Sequence, residues 1–502
     1  MHGLLLDAAE RTPTAPAVRW VDRDRTLTYA EAVEAMAASA AALASLGVRP
    51  GDRVTIIAYN GLDYLTTLFG CWHLGAIPAL VNVRFAEELD YYFADHEPTV
   101  VVFTHHIADQ VRAAAAGAPS VRALVCMDGE QEGAIGLGEL VAGAHASVPI
   151  ATEPTAIAHL SYTSGTTGRP KGAALMHEPT VTAARVIGER LRITAADVSF
   201  GPSALSSSYQ LVANLLPEFA VGATSNVMGW WTAETGLAAM RDAGATVLVG
   251  NPPLLQEVLD GARAGAPTPD LRIAVSGGGP VPPTLRRAFA RELGIPLVES
   301  YGQSELGGFV ALGFPIPRDD ESQRIGPALP DKEVRVLGPD GAPLPTGRLG
   351  EIALRGGFMH GYWGKPEKTA EALAGGWLHT GDLGVIDDDG WITMRARRAE
   401  LVETDAGLWF PRDVEEALLT RDEVAEVALI GLERDRATAA VAVMVLVADA
   451  EDDALDEDAL RTHLVAATPG YPVESLQFAT VQAMPMTPTG KIARAQLRDL
   501  LS

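Results

Sequence analysis

Short apolar runs at residues 53–58, 99–103, 123–127 and 246–250 alternate with Ala-rich stretches of helical period, such as 29–46, through the first ~390 residues. Apolar runs of strand length between amphipathic helices predict α/β layers with mostly parallel sheets. Between Gly326 and Met394 the texture changes to β-like runs at 334–337, 351–354 and 385–394, punctuated by Gly, Pro and Asp. That pattern predicts an all-β subdomain or barrel. Beyond Arg397 the order is helix (411–419), strands (424–430 and 441–447), helix (459–466) and a last strand (477–483). This predicts a small α+β unit. The expected organisation is a large N-terminal domain of layered α/β sheets over 1–398, with a β-rich subdomain at about 326–394, and a small mobile α+β domain over 399–502. The connecting stretch 394–400 is rich in Arg and Ala, so composition alone does not mark it as a hinge. The chain shows no internal repeat and no low-complexity tail.

Composition narrows the chemistry. The longest apolar run near the C-terminus, 439–448, ends at Asp449 and is too short to cross a bilayer of roughly 30 Å, so it reads as a buried strand. The start carries acidic Asp7 and Glu10 where a secretory signal is basic, which gives a cytoplasmic location as the expectation. Cys71 and Cys126 are too few for a disulfide scaffold or a four-thiolate metal site and read as buried thiols. A formal charge of −25 argues against general binding to nucleic acid. An anionic cofactor then needs a local site of backbone amides and a few cations. Of the 39 basic residues only Lys171, Lys332, Lys365, Lys368 and Lys491 are lysines, so each merits scrutiny as a compact point charge for a phosphate or reacting oxygen.

The strongest local signal is SYTSGTTGRPKG at 161–172. Gly165 and Gly168 permit close backbone approach, Thr163, Ser164, Thr166 and Thr167 supply hydroxyls and amides, and Lys171 adds charge: a loop suited to a polyphosphate. It lacks the spacing of a Walker A loop. A flexible surface loop is the bland alternative. Asp382 between Gly381 and Gly384 reads as a carboxylate in a tight turn, able to accept two hydroxyls or simply to serve the turn. Glu305, at a strand end, could help hold magnesium, which keeps few protein ligands, or could be solvated.

The 161–172 loop resembles the phosphate-binding signature of the adenylate-forming superfamily of acyl-CoA synthetases, adenylation domains and luciferases, and the chain is most like an acyl-CoA synthetase. SGGGP at 276–280 resembles the adenine-contacting turn, YGQSE at 301–305 the segment that holds nucleotide and magnesium, and GWLHTGDLG at 376–384 the ribose-binding segment. Arg397 matches a ribose-contacting arginine and PTGK at 488–491 the C-terminal lysine motif, so the resemblance spans essentially the whole chain. It implies ATP, magnesium and coenzyme A as cofactors. It assigns nucleotide binding to Thr163, Ser164, Gly165, Thr166, Thr167, Gly168, Lys171, Gly278, Gly279, Pro280, Tyr301, Gly302, Gln303, Ser304, Asp382 and Arg397. Glu305 and Thr166 take magnesium, and Lys491, with Glu305 and Thr166, carries catalysis.

The implied reaction joins a carboxylate to the α-phosphate of ATP, then transfers the acyl group to a thiol as the C-terminal domain rotates. The chain departs from its relatives here. Ala399 stands where they carry a polar hinge residue, and Asp405 and Ala406 stand where they carry a Gly pair in the tunnel loop. The pocket segments are Ala204, Leu205, Ser206, Gly277 and Gly302. No carboxylate lies in 200–208 to hold a substrate ammonium, and small residues replace an aromatic-His pair. The expectation is a roomy apolar pocket, bordered by Trp230 or Trp231, for a fatty, aromatic or polycyclic acid; both tryptophans read equally well as core. The rival readings are a ligase that loads a phosphopantetheinyl carrier protein and an inactive nucleotide-binding homologue. Intact Lys171, Glu305, Asp382, Arg397 and Lys491 argue against the second. Expected partners are the small acid, ATP and CoA, with a carrier protein and a homodimer left open.

Overall fold

The runs VLVG at 247–250 and IAVS at 273–276 have no polar alternation, as suits strands covered on both faces. In the computed structural model both are fully buried strands, Val247–Gly250 and Ile273–Ser276. The structure describes residues 1–144, 148–163, 169–320, 322–434, 437–447, 456–486 and 492–502. Two large sheets organise the first part. One runs in the order Gly361–Tyr362, Gly172–Met176, Ile157–Tyr162, Ile77–Leu80, Arg53–Ile57, Val100–Phe103, Ala123–Cys126, Ile135–Gly136. The other runs Ala311–Leu312, Leu297–Tyr301, Ile273–Ser276, Val247–Gly250, Val198–Phe200, Thr224–Val227, Pro16–Trp20, Arg25–Thr28. Pairing is parallel through their interiors and antiparallel at three of the four ends; the edge strand Ile135–Gly136 pairs parallel with its neighbour. The expected α/β layering is present. The helix Tyr29–Ser45 opens on a capping box, with Thr28 and Glu31 each satisfying the other's backbone amide.

A third sheet has the order Gly326–Pro327, Trp391–Arg397, Leu378–Ile386, Gly350–Arg355, Glu333–Leu337. It is open, so the barrel alternative does not hold. The run expected at 385–394 is two strands, Leu378–Ile386 and Trp391–Arg397, parted by a turn in which Gly390 takes a φ of +79°. Three consecutive aspartates and a glycine at 387–390 are turn residues, and the chain reverses there.

The last part holds the helix Pro411–Leu418, the antiparallel strands Val424–Arg434 and Ala437–Leu446, the helix Glu457–Ala467 and the parallel strand Gln477–Thr480. Trp409, Val414, Leu418, Leu429, Ala442, Leu460 and Leu464 close its core. A final helix, Arg494–Leu501, was not expected from the pattern; it buries Leu497. By contacts the chain forms two compact units. One comprises Met1–Arg335, Ala353–His379 and Asp388–Ile392; the other comprises Val336–Ile352, Thr380–Asp387 and Thr393–Ser502. Both cysteines are buried and free. Among the described residues no helix is long and apolar enough to cross a membrane.

Candidate active site

The strand Ile157–Tyr162 pairs antiparallel with Gly172–Met176, so the glycine and hydroxyl segment is the loop of a hairpin. Its base is closed by the Thr163 amide donating to Lys171 O at 3.0 Å. Ser164, Gly165, Thr166, Thr167 and Gly168 lie outside the described residues, as does Lys491. One helix, Leu89–His96, holds both flanks of the loop. On the entry side the Tyr162 hydroxyl donates to Asp95 Oδ2 at 2.9 Å and lies 2.8 Å from His96 Nδ1. The phenol has a single proton and gives it to the carboxylate, so His96 donates from Nδ1 and accepts from Thr55 Oγ1 at Nε2, 2.7 Å away. Burial lowers the His96 imidazole to about 3, which keeps it neutral for both roles. Lys365 ion-pairs with Asp95. On the exit side the Tyr91 hydroxyl donates to Pro170 O, and Arg169 lies 5.0 Å above the Tyr91 ring.

Lys171 Nζ sits 4.2 Å from the centre of the Tyr362 ring, and the Tyr362 hydroxyl donates to Glu305 Oε1 at 2.7 Å. Lys171 and Glu305 thus meet through a residue that the motifs did not flag. Glu305 follows the strand Leu297–Tyr301, whose last residue is Tyr301. Gln303 O accepts from the Leu306 amide at 3.1 Å, which closes a turn over Gln303, Ser304, Glu305 and Leu306 beyond the strand end, with Gly302 leading into it. In the neighbouring strand Ser276 is likewise last, and Gly277, Gly278, Gly279 and Pro280 follow it. A Cβ on Gly277 would collide with Ser300 Oγ and approach the Tyr209 ring, while Gly278 has a φ of +76°. These two glycines are required by packing and by backbone geometry respectively. Thr163, Gly277 and Gly302 therefore each follow the carboxyl end of a parallel strand, where open α/β sheets bind ligands.

In the second unit Asp382 is not in a tight turn but inside the strand Leu378–Ile386, and it is buried. The glycines that suggested a turn serve the strand: Gly381 bends it with a φ of +68°, and a Cβ on Gly384 would collide with Ile352. Arg397 ends the adjacent strand and ion-pairs with Asp382 at 3.3 Å. Ala399 lies in the single turn Arg398–Glu400. Asp405 and Ala406 form the two-residue turn of the hairpin Val402–Thr404 and Gly407–Trp409. Among the described residues only Asp24, Glu97 and Arg192 are non-glycines with positive φ, so Asp405 and Ala406 stay in ordinary regions and Gly407 takes the unusual φ of +149°.

Of the pocket residues, Leu205 is fully enclosed in the core and its amide donates to Asn60 Oδ1 at 2.7 Å; Ser206 Oγ accepts from Asn82. Ala204 is half-buried. Trp231 packs toward Phe200 and donates to Glu257, whereas Trp230 is 70% exposed. The motifs gave no role to the buried hydroxyl pair Ser161 and Ser208, 2.6 Å apart, or to Tyr209 beside Gly277. A run of three serines was the available signal.

The family model for AMP-binding enzymes matches residues 5–363, and the model for the AMP-binding enzyme C-terminal domain matches 413–491. The chain belongs to the AMP-binding enzymes. A feruloyl-CoA synthase from Amycolatopsis is 32% identical over 98% of this chain and 96% of its own length. A fatty acid–[acyl-carrier-protein] ligase from Streptomyces coeruleorubidus is 29% identical over 98% and 94%. In fold, the crystal structure of an anthranilate CoA ligase in complex with anthranoyl-AMP superposes with a TM-score of 0.90, at 22% identity over 99% of this chain and 96% of that one. This AMP-binding enzyme is an acid–thiol ligase: it activates a carboxylic acid with ATP as an acyl-AMP and forms a thioester.

Proposed function

We propose that the enzyme converts a hydrophobic carboxylic acid, aromatic or fatty, to its CoA thioester. The observation that carries this reading is the gathering of Lys171 and Glu305 around Tyr362, beside loops that leave the carboxyl ends of parallel strands. Lys171 and the loop hydroxyls take the β- and γ-phosphates, the 278–280 turn takes adenine, and Asp382 with Arg397 takes the ribose. Glu305 offers magnesium a hard oxygen donor, with one oxygen already fixed by a phenol, and Thr166 is its assigned companion. Among the described residues no cluster of three His, Cys, Asp or Glu forms a protein cage, and magnesium on a nucleotide needs none. When bound, the ion supplies charge neutralisation on the phosphates. Lys491 is assigned to the reacting carboxylate and α-phosphate oxygens. Such chemistry is mainly positioning and electrostatics, so fixed cations and dipoles are what the protein contributes.

The absence of any carboxylate in 200–208 and the feruloyl-CoA synthase relative both support an acid without an α-ammonium group. The relative that loads a carrier protein, together with the rebuilt hairpin at Asp405 and Ala406, supports a second reading in which the acceptor is a phosphopantetheine arm. Acid-dependent ATP–pyrophosphate exchange over a panel of amino, aromatic, fatty and dicarboxylic acids tests the first half. Addition of CoA or a carrier protein to the best acid then decides the acceptor. Exchange restricted to amino acids or short dicarboxylates would overturn the proposed substrate class.

A further inference from the structure

The segment 357–363 joins two parts of the site that belong to different sheets. On one side it follows the exit strand of the hairpin: Gly361 pairs with Ala174, Tyr362 with Ala173, and the Trp363 amide donates to Gly172 O at 2.8 Å. On the other side it is tied to the turn around Glu305. The Met359 amide donates to Glu305 O at 2.8 Å, the Gly307 amide donates to Gly357 O at 3.3 Å, and Leu306 bridges Phe358. Thr369 Oγ1 accepts from the Tyr362 amide at 2.9 Å and so fastens the segment to the helix Pro366–Ala372 behind it. Side chains repeat the connection made by the backbone. One face of the Tyr362 ring receives Lys171 at 4.2 Å, and its hydroxyl donates to Glu305 at 2.7 Å.

We propose that Tyr362 is a positioning residue that presets Lys171 and Glu305 relative to each other, so that polyphosphate and magnesium meet both groups already placed. The proposal rests on the phosphate and magnesium roles given to those two residues above. Both contacts act on groups that already bear opposite charges. The cation rests on the electron-rich ring face, and the carboxylate takes a hydrogen bond from the ring's polar edge. A lysine and a glutamate facing one another directly would tend to pair and neutralise each other; with the tyrosine engaging both, each keeps a defined rotamer. Preplacement of this kind lowers the ordering that substrate binding must otherwise bring about.

The test uses the full-length enzyme in acid-dependent ATP–pyrophosphate exchange, with ATP and magnesium varied independently and thermal melting recorded in parallel. Tyr362→Phe keeps the ring under Lys171 and removes the hydrogen bond to Glu305. Its magnesium concentration for half-maximal rate is expected to rise about tenfold, the scale of one hydrogen bond to a charged group, with KM for ATP and melting temperature held. Tyr362→Leu removes both contacts, and KM for ATP is expected to rise as well. Parental magnesium dependence in Tyr362→Phe together with parental KM in Tyr362→Leu would make Tyr362 a packing residue and overturn the proposal. Lys171→Ala and Glu305→Gln separate the two levels of the argument. If these lose exchange while the tyrosine variants do not, only the positioning role fails. If they too exchange at the parental rate, the assigned phosphate and magnesium roles fail with it.

Discussion

Glu218 is fully buried in the helix Leu216–Val221, directly after the π-helical turn Leu211–Leu215 and Pro217. Asn214 O, in that turn, accepts from the Ser199 and Ser225 hydroxyls at 3.2 and 2.8 Å. Burial pushes the Glu218 carboxyl up to about 8, with smaller opposing effects of Asp197, which raises it, and Arg272, which lowers it; Tyr29 also lies within its field. A folded-state value above the ordinary 4.5 means that the unfolded chain ionises first as pH rises. The stability linked to Glu218 is therefore complete below about pH 4.5 and is lost progressively up to about pH 8, by at most about 1.4 kcal/mol per pH unit. Glu218→Gln keeps the volume and removes the titration. Its melting temperature is expected to exceed the parent's by more at pH 8 than at pH 5, and an equal difference at both would show that the carboxyl does not titrate in this window. Asp382 is likewise buried, ion-pairs with Arg397 at 3.3 Å, and is assigned to the ribose. Asp382→Ala is expected to raise KM for ATP about tenfold, as for loss of one charge-assisted hydrogen bond. Unchanged KM and turnover would leave it a structural partner of Arg397.

At the level of elements, the helix Leu89–His96 acts on the 163–171 loop from outside the motif. Its Asp95 and His96 hold Tyr162 at one end and its Tyr91 holds Pro170 at the other. Tyr162→Phe leaves a buried imidazole and a carboxylate each short of one partner, which costs about 1–3 kcal/mol. The expected result is a lower melting temperature together with a raised KM for ATP. A lowered melting temperature with parental KM would separate the helix from the loop's function. None of this support was legible in the sequence, because it depends on residues 91–96 meeting residues 162 and 170 across the sheet. What was legible had short range. Hydrophobic period gave the α/β alternation, and local motifs singled out Lys171, Glu305 and Asp382. Glycine was the ambiguous letter: Gly381 and Gly384 suggested a turn, whereas one supplies a bend and the other room for Ile352 inside a strand. Tyr362 escaped notice since its place comes from pairing 361–362 with 173–174, and the helix Arg494–Leu501 since its eight residues show a single buried leucine.

For the whole molecule, the family resemblance leads to the expectation that the second half-reaction draws on 398–401, where Ala399 stands in place of a polar hinge residue. In the observed conformation Ala399 is the second residue of a turn closed by the Leu401 amide on Arg398 O at 3.4 Å. Around it the chain is anchored: Arg395 ion-pairs with Asp413, and Arg412 donates to Met394 O at 3.2 Å. Proline suits the second position of such a turn, because its fixed φ near −65° is already that of the turn. Ala399→Pro keeps the φ of its own position but disfavours the helical backbone angles that Arg398 holds in this single turn, so it confines the backbone of 398–399 and limits exchange between conformations, with the melting temperature as the check on folding. A domain rotation needs a few residues to absorb a large backbone change, and the proposed C-terminal rotation would draw on these. The expected outcome in single-turnover assays is acyl-AMP formation at the parental rate and slowed transfer to the thiol. If the variant transfers preformed acyl-AMP as fast as the parent, the backbone change lies outside 398–401 or the thiol step proceeds without one.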